Sequence, residues 1–139
     1  MRLLPLKTTI LTKIALMLLT VGLISSCSKD KDKFDDPRAG YPKDVTIEYK
    51  VTQTAGNVGI TDIMFTNDAG ASTSLDSQTL PFTKKFTKKV NFAEIFTISA
   101  YTDGPGTIKM EILVDGKVVQ TASPVSNTYI NFNISHQFQ

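Results

Sequence analysis

The chain has 139 residues, with 15 basic and 13 acidic side chains, one cysteine, one histidine and no tryptophan. One cysteine excludes an intrachain disulfide, and one histidine excludes a multi-histidine metal centre. The formal charge of +2 depends on three basic residues near the N-terminus; without them twelve basic and thirteen acidic residues remain, so charge gives no reason to expect a nucleic-acid partner.

The chain begins "MRLLPLKTTILTKIALMLLTVGLISS". Arg2, Lys7 and Lys13 make a basic opening without acids, and an apolar run of 11 residues follows from Ile14 to Ile24. That run is far shorter than the roughly 20 residues needed to span hydrocarbon. Basic opening, short apolar centre and small residues at the end predict a secretory signal over 1–26. The end of the signal, Ile24, Ser25 and Ser26 before Cys27, resembles a bacterial lipobox. The resemblance implies diacylglyceryl transfer to the Cys27 sulfur, cleavage before it, and acylation of the new amino group. One acyl chain binds a membrane marginally, whereas two or more anchor it stably. A lipid on Cys27 also explains why a secreted chain carries a cysteine with no partner.

Residues 28–44, "SKDKDKFDDPRAGYPKD", hold ten charges together with Pro37, Gly40 and Pro42. Such a stretch buries too little apolar surface to offset chain entropy, so 27–43 is expected to be a lipidated cysteine and flexible tether. Asp30, Asp32 and Asp35 do not keep calcium-loop spacing, because Phe34 stands at a ligand position and no glycine or closing glutamate follows. "SKDKD" loosely resembles the surface-export signal of Bacteroidota lipoproteins.

From Asp44 onward the hydrophobic period is two, the mark of half-buried strands. "VTIEYKV" sets Val45, Ile47, Tyr49 and Val51 against Thr46, Glu48 and Lys50. "IFTISAYT" alternates Phe96, Ile98 and Ala100 with Thr97, Ser99 and Tyr101. "TIKMEILVD" aligns Ile108, Met110, Ile112 and Val114, with Leu113 on the opposite side, and "TYINFNIS" aligns Ile130, Phe132 and Ile134. Turns are expected at Asn67–Gly70, Asp103–Gly106 and Asp115–Gly116. The pattern predicts an immunoglobulin-like antiparallel β-sandwich of about seven strands over 44–139. The strands fall near 45–54, 58–66, 71–76, 80–90, 95–102, 107–115 and 117–123, with a closing strand at 128–138.

"FTKKFTKKV", 82–90, carries Lys84, Lys85, Lys88 and Lys89. Its four-residue spacing of Phe82, Phe86 and Val90 also fits a helix face. An edge strand is expected, with the lysines blocking unwanted pairing. The alternative is a lysine patch for phosphate or acidic sugar.

"VTIEYKVT", "TLPFTKKF" and "FTISAYTDGPGTIKMEILVDGKVVQTAS" are similar to the C-terminal domain of the MmpS family, in the order of its "YEV" strand, "LPW" segment and "VDG" hairpin. Phe82 stands where that family often has tryptophan. The resemblance implies a membrane-displayed β-sandwich accessory to a lipid-exporting transporter; here a lipobox replaces the family's transmembrane helix.

No catalytic motif emerges. His136 is expected to be structural, no nucleophile elbow is present, and "DGPGT" lacks the third glycine of a dinucleotide loop. A sugar platform would have to use Tyr41, Tyr49, Tyr101 or Tyr129. The sequence therefore leads to a non-catalytic, cofactor-free, lipid-anchored protein of the cell envelope, expected in the outer membrane with its face left open. Its expected partners are the membrane, through Cys27, and an envelope protein, a membrane transport system being the one the MmpS resemblance suggests. The alternative is a glycan-binding or acidic-ligand-binding surface lipoprotein.

Overall fold

A computed structural model describes residues 36–139. The expected signal over 1–26, Cys27 and the Asp30–Asp32–Asp35 cluster lie outside the described residues. No helix occurs among those described; the chain forms two antiparallel sheets packed face to face.

The strands are β1 (Lys43–Gly56), β2 (Gly59–Thr66), β3 (Ser72–Asp76), β4 (Phe82–Val90), β5 (Ile95–Asp103), β6 (Gly106–Val114), β7 (Lys117–Ala122), β8 (Val125–Ser126) and β9 (Tyr129–Gln137). Sheet A has the order β4-β1-β6-β7, with β8 also paired to β6; sheet B has the order β3-β2-β5-β9. The expected sandwich is therefore what the chain forms. Its strand order differs from that of antibody domains: the chain changes sheet after β1, β3, β4, β5 and β8. β8 goes unseen in the sequence because two residues after a proline show no periodicity.

Alternation places Val45, Ile47, Tyr49 and Val51 from β1 against Phe96, Ile98 and Ala100 from β5, all buried. Ile108, Met110 and Ile112 extend the same core from β6. An aromatic seam runs through it. Ring centroids lie 5.7 Å apart for Phe138 and Phe96, 6.4 Å for Phe96 and Phe86, and 5.9 Å for Phe86 and Tyr49. Tyr49 and Phe65 follow at 5.7 Å, and Phe65 and Phe82 at 6.2 Å. The fully buried Tyr49 donates its hydroxyl to the Thr66 carbonyl at 2.9 Å, which ties sheet A to sheet B. Burial pushes that phenol's pKa up, against the opposing pull of the Thr66 bond.

Turn chemistry acts as the residue types demand. Asp115 and Gly116 both take positive φ, 50° and 77°. Asp115 then clamps β1: its carboxylate accepts the Thr46 N–H and its own N–H donates to the Thr46 carbonyl, both at 2.8 Å. Packing also begins earlier than Asp44. Tyr41 meets Phe92 edge-on at 5.9 Å and donates its hydroxyl to the Gln139 carbonyl at 2.9 Å. Tyr41 to Lys43, expected in the tether, therefore belong to the folded domain, since the Tyr41 ring finds apolar surface that composition alone does not reveal.

Two side chains depart from the alternation. Leu113, expected outward, lies on the outer side yet is buried, next to a register shift between β6 and β7. Phe132 shares the inward parity of Ile130 and Ile134 but is 40% exposed. It sits on the last strand of sheet B, where no further strand covers its flank.

Candidate functional site

The four lysines singled out in the sequence all lie on β4, which is indeed an edge of sheet A. The strand divides them between two faces. Lys84 and Lys88 share the inward parity of Phe82, Phe86 and Val90. Their ammonium groups stand 6.0 Å from the Phe65 ring centroid and 5.3 Å from that of Phe96. Their methylene stems cover the rim of the aromatic seam, and the ammonium groups lie close to its rings. Lys88 is further bound to Glu94 at 2.8 Å, with both side chains largely buried. Inward-pointing charge is one of the means by which edges resist foreign strands.

Lys85 and Lys89 point to the outer face of sheet A, directly opposite Glu48 and Asp44 on β1. That face is a ladder of mixed charge, with Lys50 to Glu48 at 3.3 Å and Lys109 to Glu111 at 2.7 Å. The structure therefore forms two pairs of lysines and no single patch. An anion approaching Lys85 or Lys89 meets carboxylates as well.

Glu94 holds the loop between β4 and β5. Burial disfavours its charge, but the Lys88 ammonium and the Asn91 N–H outweigh this and hold its carboxyl below the usual range. The Asn91 N–H donates to its Oε2 at 2.9 Å. Its backbone carbonyl accepts the Phe138 N–H at 3.0 Å, so the loop is joined to the C-terminal end of the chain.

His136 is half-buried, with its ring 4.9 Å from Phe138, consistent with the structural role expected for it. Among the described residues no group of three His, Cys, Asp or Glu is placed to hold a metal. Burial, and then the Lys43 charge, lower the imidazole pKa. A lowered pKa means the folded state favours the neutral ring. Its contribution is complete above the ordinary value near 6.5 and is lost as pH falls toward the folded pKa. The melting temperature is accordingly expected to fall between about pH 7 and pH 5, and His136→Gln to flatten that slope. An unchanged slope in calorimetry would count against this assignment.

The face the sequence did not single out is the outer side of sheet B. No lysine or arginine occurs in β2, β3, β5 or β9. Its acids are Asp62, Asp76 and Asp103; the remainder is mostly Ser, Thr and Asn. On this face Tyr101 and Tyr129 stack with centroids 6.0 Å apart and planes 30° apart, at 42% and 57% exposure. Beside Tyr101 a shallow depression of about 270 Å³ is lined by Asp62, Met64, Ser74, Ser99 and Asn131. The outward parity of Tyr101 is visible in the sequence. Its meeting with Tyr129, 28 residues later, exists only because β9 pairs with β5. Of the other tyrosines weighed for a sugar platform, Tyr49 is consumed by the core and Tyr41 by the C-terminus. No protein-family model matches the chain, and no curated protein matches its sequence.

Proposed function

We propose that this protein is a non-catalytic binding module, held at the cell envelope by lipid on Cys27, that docks another envelope protein. The observation that carries the binding role is the outer face of sheet B. Met64, Tyr101 and Tyr129 stand exposed there on a rigid sheet. Aromatic residues and methionine are the types enriched where proteins meet. The lipobox-like residues before Cys27 support the anchor, and the resemblance to the MmpS family supports an accessory role beside a membrane transport system. Outer-membrane residence is part of the same proposal.

Cys27→Ser is expected to abolish incorporation of radiolabelled palmitate, leaving uncleaved precursor or releasing the domain to the soluble fraction. Equal labelling of the variant would overturn the anchor. A partner captured from detergent-solubilised envelopes counts toward the reading only if Met64→Ala, Tyr101→Ala and Tyr129→Ala together abolish its capture.

A second reading, glycan binding, is favoured by one observation: the stacked tyrosines lie on a face with hydroxyl, amide and carboxylate groups and no cation. That chemistry suits a neutral sugar, whose apolar ring face stacks on an aromatic. It suits an acidic ligand poorly. Retention of a neutral polysaccharide, lost on Tyr129→Ala, would favour this reading over a protein partner.

A further inference from the structure

A two-sheet sandwich has four edges, and each edge strand presents unpaired N–H and C=O groups that can template a foreign strand. Three of the four edges here carry a recognisable guard. β4 has four lysines, two of them turned inward. β3 is only five residues long and ends in Asp76. β7 begins at Lys117 and pairs with β6 through a register shift between Ile112 and Leu113. Short length, charge and bulges are the means by which edges are blunted.

β9 has none of them. It runs nine residues, Tyr129–Gln137, without lysine, arginine, acid, proline or glycine. Its pairing with β5 is in unbroken register along the whole length. His136 is its one titratable group apart from Tyr129, and burial lowers the imidazole pKa and so disfavours the charged ring. Among the described residues no strand lies on its other side.

The flank of β9 is also incompletely filled, and Ser126, Thr128 and Asn131 line it together with apolar side chains. A groove of about 460 Å³ runs along its first half, with Pro124, Val125, Tyr129, Ile130 and Phe132 in its lining. Val125 is 71% exposed and Phe132 40%. A strand added beside β9 would turn alternate side chains onto this groove and cover Phe132.

We infer that β9 pairs antiparallel with β9 of a second copy of this chain, joining two B sheets into one continuous eight-stranded sheet. The strand is its own complement. A two-fold pairing centred on Phe132 keeps inward residues on one face, setting Ile130 of one copy against Ile134 of the other and Phe132 against its counterpart. It places no like charges opposite one another, the usual penalty in self-pairing. The contact is isologous and closes at two copies, so it leaves no free β9 edge. Lipid anchoring would hold both copies in one plane and raise their effective concentration.

The test uses the full chain solubilised in detergent, with its protein mass measured by sedimentation. The wild type is expected to be a dimer. Asn131→Lys with Asn133→Lys is expected to halve the mass, since four like charges then face each other across the seam. Both positions are exposed on an edge strand, where lysine is compatible with folding, as β4 shows. Lys85→Asn with Lys89→Asn on the β4 edge of sheet A is expected to leave the dimer intact. As a second measurement that does not rely on the lysine variant, Asn131→Cys, Asn133→Cys or Ser135→Cys should give a disulfide-linked dimer on oxidation of intact envelopes, and Ser74→Cys should not. A monomeric wild type overturns the inference, including one that takes up a strand of another protein. A dimer that persists in the double-lysine variant, with no cross-link from β9, overturns it equally. Lipid attachment is read separately at Cys27, so either result leaves the proposed anchoring to stand or fall by itself.

Discussion

Phe96→Ala is expected to destabilise the domain by about 3–5 kcal/mol, the range for emptying a buried aromatic site. Phe96 is fully buried and central to the aromatic seam, with Phe86 on one side and Phe138 on the other. Its ring also lies under the Lys88 ammonium at 5.3 Å. Removing it leaves a cavity whose walls are rigid strands of both sheets, so collapse around the gap is poor. The lysine stem loses its apolar floor as well. The loss should appear as a lower urea midpoint at unchanged slope, because the core shrinks without changing the surface exposed on unfolding. A change below 1 kcal/mol would mean that the seam is not a packed core.

The second large effect is expected at Gly56. This residue ends β1 at a φ of +76°, a left-handed conformation that side chains resist. A Cβ there would lie 2.5 Å from both the Gly106 Cα and the Pro105 carbonyl oxygen. Both obstacles are backbone and cannot swing aside. Gly106 is hemmed in likewise, with Val58 and the Ala55 carbonyl against it. The two glycines let the end of β1 cross the start of β6 at close range. Gly56→Ala must separate these strands or shift the β1–β6 register, which already slips between Gln53 and Ala55. Backbone strain of this kind costs about 1–3 kcal/mol, and the clash adds to it. The expected result is a strongly reduced yield of folded protein or a melting temperature lowered by many degrees. Gly116→Ala, at a similar φ but with open space around it, should cost less. Equal effects at the two sites would show that strain alone, and not contact, governs Gly56.

Much of the fold is legible along the chain because strands are local patterns. The alternation in "VTIEYKV" and "IFTISAYT" names the buried residues of β1 and β5 correctly, since each side chain's face follows from its parity alone. Asp115-Gly116 marks its hairpin for an equally local reason, the positive φ of both residues. The edge position of β4 could be read from its lysines, because a central strand cannot bear four of them. The alternation in "TYINFNIS" gives the inward direction of Ile130, Phe132 and Ile134, yet Phe132 stays exposed, since parity says nothing of what lies beyond the last strand.

What required the tertiary structure is whatever depends on neighbours distant in sequence. Whether the four lysines make a patch depends on which residues face them, and only the β1 pairing sets Lys85 against Glu48 and Lys89 against Asp44. The Tyr101–Tyr129 stack depends on the β5–β9 register. The cation-free character of sheet B depends on which strands share a sheet, and the open flank of β9 on which strand comes last. The sequence by itself determined the alternation, the turns, the all-β class and the expectation of a lipid at Cys27, all carried by residues adjacent in the chain. The pairing of strands decided the rest, because a sheet's surface is assembled from segments tens of residues apart whose order no local pattern encodes.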